Sequence, residues 1–264
     1  MNNFLQVVLL GIIEGITEFL PISSTGHLLI AEQLGLGQRS ELFNIGIQAG
    51  AILAITVIFW SRIFGLLSNL GDPGQRGYAA KLGVAFVITA VLGLVVSKLG
   101  FELPERVTPI AWALILGGIW IVGAEWFAKR QVSRSDVSWT TAVVVGLAQI
   151  AAAIFPGTSR SGATIFAAMF SGTSDRKAAT EFSFLLGIPT MYAASAYALL
   201  KQLKHGVGQE NWADLGLGFV VSTVTAFVVV KWLMKYIQTH TFNVFAVYRI
   251  LFGIALLLLL PSGS

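Results

Sequence analysis

The chain has 264 residues, of which 55% are hydrophobic and only 11% charged, and it contains no cysteine. Soluble domains carry about 25% charged residues, so this composition excludes an ordinary water-soluble globular protein, together with disulfide scaffolds and thiolate metal centres. The formal charge of +4 does not signal nucleic acid, because the basic residues sit in short loops between apolar runs, where orientation in a bilayer accounts for them.

From the N-terminus, "MNNFLQVVLL" has neither a basic leader nor a small-residue cleavage site, so no removable signal peptide is expected. Phe4–Phe19 is apolar, yet at 1.5 Å per residue it makes only roughly 24 Å of helix, short of about 30 Å of hydrocarbon. It ends at Pro21, and a second apolar piece runs from about Thr25 to Leu34. Three runs of spanning length follow, near Leu42–Trp60, Leu82–Lys98 and Ile110–Phe127. Trp139–Phe155 then repeats the opening arrangement: a short helix, Pro156, and a second piece from about Arg160 to Phe170. Three more runs complete the chain, near Phe182–Leu200, Leu215–Leu233 and Phe245–Leu260.

Each short pair reads as a helical hairpin that enters the membrane, turns at a proline and leaves on the same side. Irregular backbone at that depth is tolerated only inside protein or beside a wet cavity. The hairpins align at a constant offset of 135: Gly11 on Gly146, Glu14 on Gln149, Pro21 on Pro156, Ser24 on Ser159. The expected fold is therefore an all-α integral membrane protein, one transmembrane domain over 1–264, built as an inverted-topology repeat. Each unit holds one re-entrant hairpin plus three transmembrane helices, the first over about 1–130 and the second over about 136–264. Three spans is an odd number, so the second unit lies upside down. With both termini outside, ten loop arginines and lysines fall on the cytoplasmic side and five outside, as the positive-inside rule asks. Arg160 and Arg249 remain, and both fall within the membrane.

The hairpin tips carry the costly residues. Glu14 and Glu18, four apart, share a helix face, and two close buried carboxylates call for a cation, a shared proton or an arginine. The alternative is bonding to nearby backbone amides. Ser23, Ser24 and Thr25 precede the second half-helix, where hydroxyls cap free amides, although capping alone explains one or two of them. His27, three residues after Ser24, has the chemistry of a general base, general acid or nucleophile toward phosphorus, or else a structural role. The second tip, "PGTSRSGAT", offers glycines, the hydroxyls of Thr158, Ser159, Ser161 and Thr164, and Arg160 at a half-helix start. Such a start is an anion site, and a guanidinium fork suits phosphate oxygens. Pairing of Arg160 with Glu14 or Glu18 is the other reading, and the two are compatible. Arg249, Gln48 and Gln149 read as structural before functional. The implied ligand is a phosphate or diphosphate presented within a bilayer.

At these residues the chain closely resembles the bacterial undecaprenyl-diphosphatase family, called UppP or BacA. The family's Glu-x-x-x-Glu motif matches Glu14 to Glu18 with "PISSTGH" following, and Pro-Gly-x-Ser-Arg-Ser-x-x-Thr matches Pro156 to Thr164 without departure. The resemblance implies a hydrolase that removes the terminal phosphate of undecaprenyl diphosphate. That step recycles the lipid carrier of peptidoglycan synthesis and protects against bacitracin. It implies a multi-pass protein of the bacterial cytoplasmic membrane with its site opening outward, a divalent cation, Mg2+ or Ca2+, and no nucleic-acid partner. It leaves a homodimer open. Carried over by motif position, Glu14, Glu18, Ser24, His27, Ser159 and Arg160 are the functional positions, with Glu14 and Glu18 holding the cation. Ser23, Thr25, Thr158, Ser161 and Thr164 complete the expected substrate contacts. Ser24 is the expected nucleophile, with direct attack by His27 left open. The rival is a lipid-phosphate flippase or anion transporter, since broken helices in inverted repeats are a transporter signature. A carrier, however, has little use for two acids, a serine and a histidine beside the arginine.

Overall fold

The computed structural model describes residues 2–99, 106–205 and 210–260. Among them every regular element is helical. Five helices are long and apolar enough to cross a membrane: α3 (Glu41–Ile58), α5 (Pro73–Lys98), α6 (Val107–Ala128), α9 (Arg176–His205) and α10 (Trp212–Tyr236). The sixth expected span corresponds to α11 (Asn243–Leu259), which is shorter at 17 residues. α5 begins nine residues before the expected start, because Asp72 caps the amide of Gln75 and Pro73 fits the first turn. A short helix, α4 (Trp60–Ser68), occupies part of what reads as a loop.

The two short pairs fold as helix–turn–helix units: α1 (Asn3–Thr17) with α2 (Ser24–Ala31), and α7 (Trp139–Ile154) with α8 (Arg160–Phe170). A π-turn over 32–36, kinked at Gly35, follows α2. The turn between α1 and α2 is buried throughout, and Pro156, Gly157 and Ser159 of the second turn are buried too. That burial in protein is the condition for irregular backbone in an apolar setting.

Packing joins helices far apart in sequence: α1 lies against α10, α7 against α5, α6 on α11, and α3 on both α9 and α10. Glycines set these approaches. A Cβ on Gly11 would meet the carbonyl of Gly218 at 3.0 Å, and one on Gly146, its repeat counterpart, would meet the carbonyl of Ala85 at 2.9 Å. With lipid as apolar as leucine, such close backbone contact is what drives helices together. The two ends of the bundle carry distinct polar ties. At one, Arg39 reaches Asn3, Gln6 and Asp214; at the other, Arg62 pairs with Glu181 and Arg176 with Glu125. α3 runs from the first end to the second.

Gly15 is the most confined point of the α1–α10 contact, where a Cβ would lie 2.7 Å from Thr225 Cβ and 2.8 Å from the Ser222 carbonyl. Gly15→Ala is expected to lose about 1–3 kcal/mol through overpacking. Gly216→Ala on α10 meets open space and is expected to stay within about 0.5 kcal/mol of the parent. Thermal unfolding in detergent reads both, and equal melting of the two variants would contradict the tight contact.

Candidate active site

The turns that end α1 and α7 are equivalent, but one residue out of the register expected from sequence. Ser23 (φ 75°) and Ser159 (φ 69°) are the two non-glycine residues with left-handed backbone among those described. Each caps a half-helix in the same way: Ser23 Oγ accepts from Gly26 N at 3.3 Å, and Ser159 Oγ accepts from Gly162 N at 3.2 Å. Each backbone carbonyl receives the next amide, His27 N at 3.3 Å and Ala163 N at 2.9 Å. The true counterpart of Ser159 is therefore Ser23, and Ser24 matches Arg160. Between proline and cap the second turn has two residues, Gly157 and Thr158, where the first has Ile22 alone. Gly157 takes φ 90°, a left-handed backbone that glycine adopts freely.

This register brings the first residue of α2 and the first of α8 to one carboxylate. Ser24 Oγ donates to Glu18 Oε2 at 2.5 Å, and Arg160 Nη2 donates to Glu18 Oε1 at 3.4 Å. Glu18 is only 6% exposed, so the arginine and the hydroxyl supply what water would. Arg160 Nε and Nη1 are buried without a hydrogen-bond partner. Gly187 on α9 leaves the space that its guanidinium fills, since a Cβ there would collide with Nη1. Glu18, Ser23, Ser24, Thr25, Ser159 and Arg160 line one cavity of about 240 Å3. Two half-helix N-termini, half of a guanidinium without partners, and a serine bonded to a carboxylate thus face one polar space. The first three have the chemistry to hold an anion, and the last that of a nucleophile beside a base.

The remaining sequence candidates fall elsewhere. Glu14 is 2% exposed, its Oε2 has no partner, and it lines a second, adjoining cavity instead of the first. The two carboxylates line different cavities, although Glu18 keeps helical backbone and its amide bonds to the Glu14 carbonyl at 3.0 Å. His27 lies outside both cavities. Its Nδ1 bonds to the Ser23 carbonyl at 2.7 Å, its Nε2 to Tyr248 Oη at 2.6 Å, and its ring stacks on Phe252. A carbonyl only accepts, so Nδ1 carries the proton and Nε2 accepts from the tyrosine. Ser161 donates to the Leu20 carbonyl at 3.0 Å, and Thr164 to the carbonyls of Arg160 and Ser161. Thr158 borders an apolar groove between α6, α7 and α8.

Sequence reasoning passed over Thr89 and Thr190 on the far wall of the first cavity. Gln149, read as structural, donates from Nε2 to Thr89 Oγ1 at 3.0 Å and its Oε1 accepts from Thr190 at 3.3 Å, so it ties α7 to α5 and α9. Thr89 and Thr190 also donate to carbonyls one turn back, which makes them read as ordinary helix threonines.

Arg249 underlies the whole arrangement. It is 1% exposed and meets five carbonyl oxygens at 2.9–3.2 Å: Pro21 of the first turn, Gly157 and Thr158 of the second, and Ala113 and Leu114 of α6. A guanidinium has five N–H donors, and all are used. A Cβ on Gly117 would collide with it, so glycine there makes the room. The structural reading of Arg249 thus takes the form of a clamp on backbone carbonyls.

The chain is similar to known proteins over nearly its whole length. The family described as "Bacitracin resistance protein BacA" matches residues 7–255. The undecaprenyl-diphosphatase of Rhizobium johnstonii is 61% identical over 262 residues, covering 99% of this chain and 98% of that protein. The undecaprenyl-diphosphatase of Xanthomonas axonopodis pv. citri is 57% identical over 265 residues, with all of both chains covered.

Lysine offers three donors, so Arg249→Lys leaves at least two of the five carbonyls without their present partner. The expected loss is roughly 2 kcal/mol or more, read as a lower melting temperature in detergent. Arg249→Leu is expected to yield no monodisperse protein. A parental melting temperature for either variant would remove the clamp from the account.

Proposed function

From membership in the bacitracin resistance protein BacA family, to which this chain belongs, we propose that it hydrolyses undecaprenyl diphosphate to undecaprenyl phosphate and inorganic phosphate. The observation that carries the reading is the Ser24–Glu18–Arg160 cluster where two half-helix N-termini converge. A flippase or anion carrier needs the arginine and the helix ends; a serine hydrogen-bonded to a buried carboxylate is what a phosphoryl-transfer enzyme adds.

The diphosphate enters the cavity with its terminal phosphate on Arg160 Nε and Nη1 and on the free amides at the starts of α2 and α8. Phosphoryl transfer then asks mainly for positioning and charge neutralisation. Ser24 Oγ attacks the terminal phosphorus as Glu18 takes its proton, and the bond to the bridging oxygen breaks, Glu18 passing that proton to the departing undecaprenyl phosphate. Glu18, again a carboxylate, deprotonates a water that attacks the phosphoserine; the bond from phosphorus to Oγ breaks, phosphate leaves, and Glu18 returns the proton to Ser24 Oγ. His27 holds the Ser23 carbonyl through Nδ1 and so fixes the turn that presents Ser24, while Ser159 and Ser161 hold the facing tip.

We extend the reading to a divalent cation, Mg2+ or Ca2+, held by Glu14 and Glu18 with the substrate. Glu14 fits such a group, with Oε2 a buried carboxylate oxygen without a partner, and Glu18 lies one helical turn on, its amide bonded to the Glu14 carbonyl. Among the described residues no three His, Asp or Glu side chains gather around one point. That matches Mg2+, which takes one or two carboxylates and completes its shell with phosphate oxygens and water. The cation, when bound, supplies charge neutralisation of the diphosphate.

The finer architecture belongs to the same proposal. α1–α2 and α7–α8 are re-entrant hairpins of inverted repeats, a reading supported by the exchange of partners in which α1 packs on α10 and α7 on α5. With ten basic loop residues at the cytoplasmic end, both termini lie outside and the site opens outward in the bacterial cytoplasmic membrane, where it serves carrier recycling, peptidoglycan synthesis and bacitracin resistance.

Purified protein in detergent is expected to release phosphate from undecaprenyl diphosphate and to stop when a chelator is added. Ser24→Ala and Arg160→Ala are expected to lower kcat by about 100-fold or more, and trapping with mass mapping is expected to place phosphate on Ser24. Absence of release, with movement of lipid phosphate across liposomes, would replace the hydrolase by a carrier; label on His27 would displace Ser24.

A further inference from the structure

The cavity that holds Ser24 and Arg160 has two walls of different chemistry. One carries the serine, the carboxylate and the guanidinium. The other is neutral and polar, built by Thr89 of α5, Gln149 of α7 and Thr190 of α9. The phosphoryl-transfer mechanism gives the first wall to the terminal phosphate and leaves the second without a task. A diphosphate, however, brings two phosphates into the cavity, and the one bonded to the lipid also needs hydrogen-bond partners once water is left behind.

Gln149 is 4% exposed, and its carboxamide is held at both ends, by Thr190 at Oε1 and by Thr89 at Nε2. Thr89 directs its single proton at the carbonyls of Ala85 and Gly146, at 3.0 and 3.1 Å, so its oxygen is open to accept and Nε2 is the end that faces it. A carboxamide nitrogen has two N–H groups. Thr89 takes one, and the other has no acceptor among the described residues. A buried donor left unpaired is costly, and the space that Gln149 borders is the one that Arg160 makes attractive to anions. Charge points the same way. At the equivalent position the first half has Glu14; a carboxylate on this wall would repel an anion, whereas a carboxamide of nearly the same shape donates to it.

We propose that Gln149 is a substrate-binding residue whose second amide N–H donates to the lipid-proximal phosphate of the diphosphate, with Thr89 and Thr190 fixing its direction. The cavity then has two phosphate subsites, a charged one for the terminal phosphate and a neutral one for the phosphate that leaves with the lipid. That order suits the reaction. When the bond from phosphorus to the bridging oxygen breaks, the electron pair stays on that oxygen, which belongs to the departing lipid phosphate. A fixed donor there stabilises the growing charge, and a neutral one does so without gripping the product as a second arginine would. The inference rests on the phosphatase reading for the identity of its ligand, and it adds α5, α7 and α9 to a site whose sequence motifs lie at the two turns.

Orthophosphate and methylenediphosphonate are the probes, the first able to fill one subsite and the second both. Full-length protein in detergent is titrated with each, and binding is read from the rise in melting temperature, which needs no turnover. The parent is expected to bind the diphosphonate more tightly than orthophosphate. Gln149→Leu is expected to weaken diphosphonate binding about 10-fold and to leave orthophosphate binding as in the parent. Gln149→Glu, which keeps the shape but adds charge, is expected to weaken the diphosphonate further, and it carries the test if Gln149→Leu does not fold. Melting temperatures of the ligand-free proteins are the folding control. Equal affinity of the parent for the two probes, parental diphosphonate binding in both variants, or equal loss of both probes in Gln149→Leu would each overturn the proposal. Phosphate release from undecaprenyl diphosphate on the same samples separates the two readings. A parent that hydrolyses the lipid while its Gln149 variants bind both probes normally loses only this inference. One whose Gln149 variants lose the diphosphonate selectively, but which releases no phosphate, loses only the phosphatase.

Discussion

The structure depends on one side chain, Arg249, which donates to five backbone carbonyls and meets no carboxylate. A turn placed deep in an apolar bundle exposes carbonyls that no helix can pair and no water can reach. A guanidinium solves this better than any neutral group, because its rigid fork presents five donors from one stem. Arg249 spends them on both turns and on α6 at once, so the turns are fixed to each other as well as to the bundle. Ser159 and Ser161 reach the Leu20 carbonyl next to Pro21, which locks the contact from the second tip. Only with the tips so fixed do the first residues of α2 and α8 reach the same carboxylate.

Buried charges elsewhere sort by whether their hydrogen-bonding capacity is used. Arg249 is saturated, and Glu125 nearly so, receiving Arg176 through two nitrogens and the amide of Phe242. Both belong to the scaffold. Arg160 retains two buried nitrogens without partners, and Glu14 one such oxygen. A fold that satisfies the first pair so fully has no structural reason to leave the second pair short. The cavities that Arg160 and Glu14 line adjoin.

Much of this was legible in sequence because bilayer-length apolar runs and prolines admit few arrangements. The short pieces read as Trp139–Phe155 and Arg160–Phe170 fold as Trp139–Ile154 and Arg160–Phe170. What escaped was decided by three-dimensional partners. The repeat was paired at Ser24 and Ser159 by counting from the prolines, whereas the left-handed backbone of Ser23 and Ser159 shows an extra residue in the second turn. The four-residue spacing of Glu14 and Glu18 keeps its helical bond, yet the two line different cavities, which residue spacing does not reveal. Arg249 carried no motif at all, since the carbonyls it serves are invisible to residue identity.

The repeat explains why one site holds both halves of the chemistry. Two equivalent turns, capped alike by Ser23 and Ser159, aim two helix N-termini at a common space. Had the halves remained chemically identical, two arginines at the first helical position would bind an anion with nothing to attack it, and two serines would attack without charge to hold it. The chain instead sets Ser24 opposite Arg160 and places the carboxylate that both need, Glu18, on the serine's side alone. The same divergence puts Glu14 where the other half has Gln149, which bonds to Thr89 and Thr190. In the proposed mechanism the paired turns build the anion-binding frame, and the differences at positions 18 and 24 put the nucleophile and its base on the first turn and leave the second as the clamp.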